Sequence, residues 1–197
     1  MATYHAIAAT GEAIIALLRA ACPKPEFANA QFALFQASDL QNPNPMDEGI
    51  SLYLYHISVN TTIRNRRPRI DSSGRRYLPS FPVDLHYLLT PWAKSPGRQQ
   101  RLLGWAVRTL EDTPILPRGL LNHGPDVETF LPGEAVELVC DLLSLQDIIN
   151  IWDAFKPNLQ ISMPYIARMI ALDSTVELSE APPAQTRAFD LEKESEQ

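Results

Sequence analysis

Apolar residues recur at intervals of three and four positions in three segments of the chain, and this spacing predicts three helices. The first covers residues 4–21 and stops before Pro23, and the second covers residues 98–111 and stops before Pro114. The third covers residues 145–155. It is preceded by Ser144, with Asp147 three positions later, which is the pattern of a capping box.

Alternating or continuous apolar runs predict strands between these helices. The clearest is 50–59, whose two faces are both largely apolar, so it is expected to be covered on both sides. We expect residues 60–80 to form a long loop, with a hairpin tip as the one regular alternative, and residues 115–133 to be irregular. The predicted strands are 31–36, 50–59, 81–90, 134–142 and 161–172.

The order of these elements predicts an α+β fold. Consecutive strands with helices at intervals favour a mainly antiparallel, curved sheet with two to three flanking helices, which we expect to cover one face.

Charge divides the chain of 197 residues into two parts. Residues 173–197 contain seven acidic and two basic residues, a net charge of −5, which leaves −1 of the total of −6 for the rest. We therefore predict one domain over 1–172 and an acidic tail over 173–197 that is disordered or extended. A nearly neutral body offers no general attraction for nucleic acid or an anionic membrane.

The cysteine count and the apolar runs bear on the compartment. Cys22 and Cys140 are far apart in sequence and predict neither a disulfide framework nor a metal site. The chain shows no signal-peptide pattern and no apolar run of the length that spans a membrane. We therefore expect assembly in the cytoplasm and no direct membrane insertion.

Asp84 and His86 form the best catalytic candidate. On a strand their side chains point the same way, about 7 Å apart. No nucleophile motif, paired histidines or glycine-rich phosphate loop accompanies them. The sequence therefore predicts no catalytic residue, no metal, no cofactor and no small-molecule substrate, and we interpret this pair as a polar strand face that contacts a neighbouring strand or subunit.

The 60–80 segment carries six arginines within 13 residues and a single acid, Asp71. Guanidinium groups pair well with the carboxylates of a protein partner, and they also bind phosphates. Three interpretations remain open here: a protein interface, a solvated loop, and a nucleic-acid site, which the scarcity of nearby aromatic residues weakens. Trp92, which follows Thr90 and Pro91, is a further interface candidate. The six arginines are Arg64, Arg66, Arg67, Arg69, Arg75 and Arg76.

The motif Asn-Arg-Arg-Pro-Arg at 65–69, followed by Asp-Leu-His-Tyr-Leu-Leu-Thr at 84–90, is specific in combination. With the segments 52–60 and 102–116, it makes the chain resemble the N-terminal domain of cap, or tail-terminator, proteins of extracellular contractile injection systems. These are phage-tail-like particles with an inner tube and a contractile sheath.

The resemblance implies a non-enzymatic structural protein with a fold like that of phage tail terminators. It implies a ring of six copies at the end of the particle away from the baseplate, which stops polymerisation of tube and sheath and joins the two. The implied partners are copies of this chain, the inner tube protein and the sheath protein, in a particle that is released from the cell or anchored. The hypothetical interface residues are the six arginines, Asp84, His86 and Trp92. The alternatives are a nucleic-acid-binding module that uses the same arginines and a hydrolase built on Asp84 and His86.

Overall fold

The structure is a computed structural model of the chain and describes residues 4–62, 67–71, 73–122, 129–155 and 159–178. The predicted helices and strands are all present, with ends that differ by a few residues. The helices are α1 (His5–Ala21), α2 (Ala37–Leu40), α3 (Pro96–Glu111), α4 (Arg118–Leu121) and α5 (Leu145–Phe155). The strands are β1 (Gln31–Phe35), β2 (Glu48–Val59), β3 (Arg69–Ile70), β4 (Arg76–Tyr77), β5 (Phe81–Ala93), β6 (Ile115–Leu116), β7 (Val136–Cys140) and β8 (Met163–Leu172).

Six of the strands form one curved, mixed sheet in the order β1-β2-β5-β8-β7-β6. Only β1 and β2 run parallel, and the other neighbours are antiparallel, as the sequence predicts for most of the sheet. Strands β3 and β4 form a separate hairpin, which lies in the connection along the chain from β2 to β5, the two long central strands. This α+β architecture confirms the predicted fold class.

Helices lie on both faces of the sheet, and the expectation that they cover one face is wrong. The main core joins α1 and α3 to residues such as Ile50 and Leu85 on one face. A smaller core joins α5 to Leu88, Trp92 and Leu40 on the other. Because side chains alternate along a strand, an apolar β5 supplies both cores.

Two irregular positions change which side chains share a face. Leu54 pairs with Tyr87 but His56 pairs with His86, so Tyr55 is an extra residue in β2. Such a bulge shifts the alternation by one position. Ile57 consequently lies opposite Leu85 on the α1 side, and not with Tyr53 and Tyr55 as simple alternation predicts.

Strand β5 continues past its predicted end through Pro91. Its pairing with β8 ends at Leu89, so beyond that residue β5 has a strand on one side only. The carbonyl of Pro91 accepts a hydrogen bond from Gln99 Nε2 at 3.0 Å, which shows that this residue turns its polar backbone away from β2. Proline is tolerated there because no ladder bond needs its missing N–H.

Some elements lie where the sequence predicts irregular structure. Residues 60–80 contain the β3–β4 hairpin, which is the regular alternative that the sequence allows there. Residues 115–133 contain β6 and α4, and α2 is an additional short helix. The predicted capping box of α5 is confirmed, since the backbone N–H of Asp147 donates to Ser144 Oγ at 3.1 Å and that of Ser144 donates to Asp147 Oδ2 at 3.3 Å.

Candidate functional site

The described part of the arginine-rich segment contains a hairpin, and we call residues 67–71 and 73–77 the arginine hairpin. Its strands pair through Arg69 with Tyr77 and Ile70 with Arg76. The chain after β8 returns alongside it, because the N–H of Leu78 donates to the carbonyl of Val176 and that of Leu178 donates to the carbonyl of Arg76, at 3.0 and 2.8 Å. The first residues of the predicted acidic tail therefore lie against the hairpin in extended form.

Asp71 organises the tip of the arginine hairpin. Its carboxylate accepts hydrogen bonds from the backbone N–H groups of Ser73 and Arg75, at 2.8 and 3.0 Å, and from the hydroxyl of Tyr77 at 3.2 Å. The Ser73 hydroxyl donates a further bond at 2.6 Å. These donors, the Ser73 hydroxyl first among them, hold the pKa of Asp71 well below its ordinary value.

Two of the candidate arginines pair with carboxylates of the same chain. Arg69 Nε lies 3.6 Å from Asp173 Oδ2, and its guanidinium stacks 4.3 Å above the ring of Tyr77. Arg75 bonds both Asp71, at 3.1 Å, and Glu177, at 3.0 Å. These contacts join the hairpin to residues about a hundred positions later in the chain.

The remaining described arginines of this segment, Arg67 and Arg76, are exposed. Arg64 and Arg66 lie outside the described residues. Arg69 and Arg75 thus shape the hairpin through contacts with carboxylates of the same chain. This division weakens the nucleic-acid interpretation, because Arg69 and Arg75 already contact carboxylates.

Trp92 does not lie at the surface, and its assignment as an interface residue is wrong for this chain. It is 5% exposed, its Nε1 donates to Ser51 Oγ at 2.8 Å, and its ring packs edge-on against Trp152. The apolar residues around it form the core beneath α5.

The Asp84 carboxylate forms hydrogen bonds with residues of, or next to, the neighbouring strands of the sheet. Its carboxylate accepts bonds from Asn60 Nδ2, at 2.9 and 3.2 Å, and from the backbone N–H of Met169, at 2.9 Å. Met169 has a φ of 68°, in the left-handed region, at the point where β8 carries an extra residue against β5. Asp84 therefore stabilises a bulge and does not orient His86.

His86 contacts a serine and an aspartate that lie far from it in sequence. Its Nε2 lies 2.8 Å from Ser58 Oγ and its Nδ1 lies 3.2 Å from Asp141 Oδ2. Tyr55 donates its hydroxyl to the same Asp141 oxygen at 3.1 Å, and burial and this carboxylate raise the pKa of Tyr55, so it stays protonated. The contacts run from Ser58 through His86 to Asp141, and this connectivity is that of a serine hydrolase triad, whatever the order of the residues along the chain.

Sequence reasoning did not find Ser58 or Asp141. Ser58 lies 28 positions before His86 and Asp141 lies 55 positions after it, and no local motif marks either one. The antiparallel pairing of β2 with β5 could have located Ser58. This pairing places Ser58 opposite Asp84 and therefore beside His86.

Metal-ligating clusters and membrane-spanning helices are both absent from the described part of the chain. It contains no group of three or more histidine, cysteine or acidic side chains placed to hold a metal ion. Among the described helices none is long and apolar enough to cross a membrane.

Comparison with known families and structures gives consistent matches. A family model described as the Pvc16 N-terminal domain matches residues 9–186. Comparison with curated protein sequences gives no match.

Two solved structures have a similar fold. One is the sheath/tube terminator of PVC, an extracellular contractile injection system, in the extended state, with 20% identity and a TM-score of 0.64 over 96% of this chain and 64% of that one. The other is the tube terminating cap of the anti-feeding prophage, with 18% identity and a TM-score of 0.56 over 92% of this chain and 60% of that one. The chain thus spans less than two thirds of each of these proteins and shares their fold over that part.

Proposed function

Because the chain belongs to the family of Pvc16 N-terminal domains, we propose that it is a structural terminator of a contractile injection particle. The observation that supports this most is the fold, which is similar to that of a sheath/tube terminator over 96% of the chain. In this role the protein ends the growth of tube and sheath at the end away from the baseplate and joins the two.

We propose further that it acts as a ring of six copies, assembled in the cytoplasm, with the tube and sheath proteins as its partners. The role needs no cofactor, no small-molecule substrate and no turnover. A cap works by fitting its surface to the end of a polymer, and it therefore needs exposed groups that bind protein.

Electron microscopy of particles made with and without this chain tests the function. Without it we expect tubes that are ragged, overlong or unstable, and supplying the chain from a plasmid restores a uniform length. Capped particles of uniform length in its absence would contradict the proposal.

The arginine hairpin is our candidate for the surface that contacts the next copy or the tube. Arg67 and Arg76 are exposed arginines of this hairpin, and guanidinium groups pair with carboxylates at protein interfaces. We expect Arg67→Glu with Arg76→Glu to abolish ring formation or docking on tube ends. Arg101→Glu is the matched control, because Arg101 is an exposed arginine of α3 that pairs with Glu26 in the same chain. Normal rings and docking from the hairpin variant would exclude this surface.

The contacts of His86 favour one second candidate function, hydrolysis of an acyl ester at Ser58. In that reaction His86 would take the Ser58 proton as the Oγ–acyl bond forms and would return it to the departing alcohol, with Asp141 holding the imidazole. Water, deprotonated by His86, would then attack the acyl group, release it as the acid and leave the proton on Ser58 Oγ. A fluorophosphonate probe distinguishes the two functions. Labelling of Ser58 that disappears in His86→Ala would support a hydrolase, and a terminator without turnover predicts labelling no stronger than that of the exposed Ser38.

A further inference from the structure

An apolar strip remains exposed at the end of the central strands from which the arginine hairpin emerges. It consists of Ile57, Val59 and Phe81, which are 42%, 54% and 53% exposed. Ile57 and Val59 pair with the buried Leu85 and Val83, so the strip continues the α1 face of the sheet beyond the part that is covered. Three neighbouring apolar side chains on one exposed sheet surface indicate a binding surface.

A second exposed apolar site lies at the start of α5. Leu142 and Leu145, here called the leucine pair, flank the cap of α5 and are 95% and 69% exposed. Helix α5 packs on the face that carries Leu88 and Trp92, away from α1. Helix α5, which begins at Leu145, therefore lies on the opposite side of the sheet from the apolar strip.

The surroundings of the two sites carry opposite charge. The strip is bordered by the arginine hairpin, since the chain leaves the strip at Val59 and returns to it at Phe81. The four described arginines there exceed by one the three acids that Arg69 and Arg75 contact, and Arg67 and Arg76 are exposed. The leucine pair is bordered by α5, whose charged residues are Asp147 and Asp153, both exposed. Charge complementarity of this kind selects a partner and fixes its orientation.

We propose that the apolar strip of one copy binds the leucine pair of the next, with the arginine hairpin facing α5. This inference rests on the proposed function and names the contact that would close the ring. Since the two surfaces differ, the contact is heterologous. A linear assembly keeps one free strip at one end and one free leucine pair at the other until the ring closes.

The heterologous character supplies a sharp test with two variants of the full chain. The strip variant carries Val59→Ser and Phe81→Ser, and the leucine variant carries Leu142→Lys and Leu145→Lys. All four positions are exposed, so the fold should be retained, which circular dichroism checks. Ile115→Ser is the matched control, because Ile115 is 59% exposed on the edge strand β6.

Analytical ultracentrifugation of wild type, control and variants gives the outcome. We expect rings from wild type and control and monomers from each variant alone. An equimolar mixture of the variants should give a heterodimer of twice the monomer mass and nothing larger, since one intact strip meets one intact leucine pair. Rings from either variant alone, or only monomers in the mixture, would overturn the contact.

Binding to tube ends, measured separately, distinguishes failure of this contact from failure of the proposed function. A wild-type chain that stays monomeric overturns the contact, and if that monomer still binds tube ends the terminator function stands. A wild-type chain that neither forms rings nor binds tube ends overturns both.

Discussion

The backbone N–H of Met169 donates a hydrogen bond to Asp84 Oδ1 over 2.9 Å, and this bond holds the bulge of β8 against β5. Met169 is the one described non-glycine residue with a positive φ, a conformation that needs local support. The same carboxylate accepts two contacts from Asn60, which is 3% exposed and lies at the end of β2. Asp84 therefore connects β2, β5 and β8 at the end that carries the arginine hairpin.

We predict that Asp84→Ala destabilises the protein by about 2–3 kcal/mol, because it leaves the buried Asn60 amide and the Met169 N–H without their charged acceptor. Denaturant unfolding measures the change. Asp153→Ala, at an exposed position of α5, is the control and should change the stability by less than about 0.5 kcal/mol. An unchanged unfolding midpoint for Asp84→Ala would show that Asp84 does not support the bulge.

The elements of the fold were predictable because their signals are local. Helical spacing gives α1, α3 and α5, and the capping box at Ser144 and Asp147 forms as its residues predict. The two bulges were not predictable, because an extra residue such as Tyr55 is defined only by its pairing with another strand. This is why Ile57 lies on the face opposite to the one that simple alternation from Tyr53 predicts.

The candidate site was predicted in part, and the missing part is long-range. Asp84 and His86 share a face as expected, but their partners Asn60, Ser58 and Asp141 come from other strands. The arginine-rich segment was evident from composition. That some of its charges are matched by Asp173 and Glu177 depends on the return of the chain after β8, which no local pattern indicates.

We predict that the tip of the arginine hairpin resists acid. The pKa of Asp71 lies below its ordinary value of 3.8 because of its hydrogen bonds, that of the Ser73 hydroxyl first. A carboxyl group with a lowered pKa stabilises the folded form fully above its ordinary pKa, and this contribution is lost as the pH falls through the lowered value.

Amide chemical shifts of Ser73 and Arg75 report on this titration, since both N–H groups donate to Asp71. They should stay constant from neutral pH down to about pH 4, near the ordinary value of an aspartate, and change only in stronger acid. Asp71→Asn is the control and should abolish the transition. A midpoint at or above the ordinary value would contradict the prediction.

Two serines at helix starts allow a matched test of capping. Ser144 Oγ accepts the N–H of Asp147, whereas Ser95 caps α3 with no side-chain bond. We predict that Ser144→Ala costs about 1 kcal/mol of stability and that Ser95→Ala costs only a few tenths, at most about 0.5 kcal/mol. Equal losses in denaturant unfolding would show that the bond at Ser144 contributes nothing.

Two glycines should respond to alanine with opposite signs. A Cβ on Gly49 would lie 2.0 Å from the carbonyl oxygen of Gln31, at the parallel pairing of β1 with β2, and the φ of Gly49 is 157°. Because the backbone atoms there cannot move without breaking the strand pairing, Gly49→Ala should cost about 2–3 kcal/mol and weaken the attachment of β1.

Gly104 lies in α3, and a Cβ added there would meet no atom of another part of the chain within 4 Å, so Gly104→Ala should stabilise the protein by about 0.5–1 kcal/mol. Thermal and denaturant unfolding of the two variants measure both changes, and hydrogen exchange of the β1 amides localises the first. If Gly49→Ala leaves stability and β1 protection unchanged, β1 does not approach β2 as closely as the structure shows.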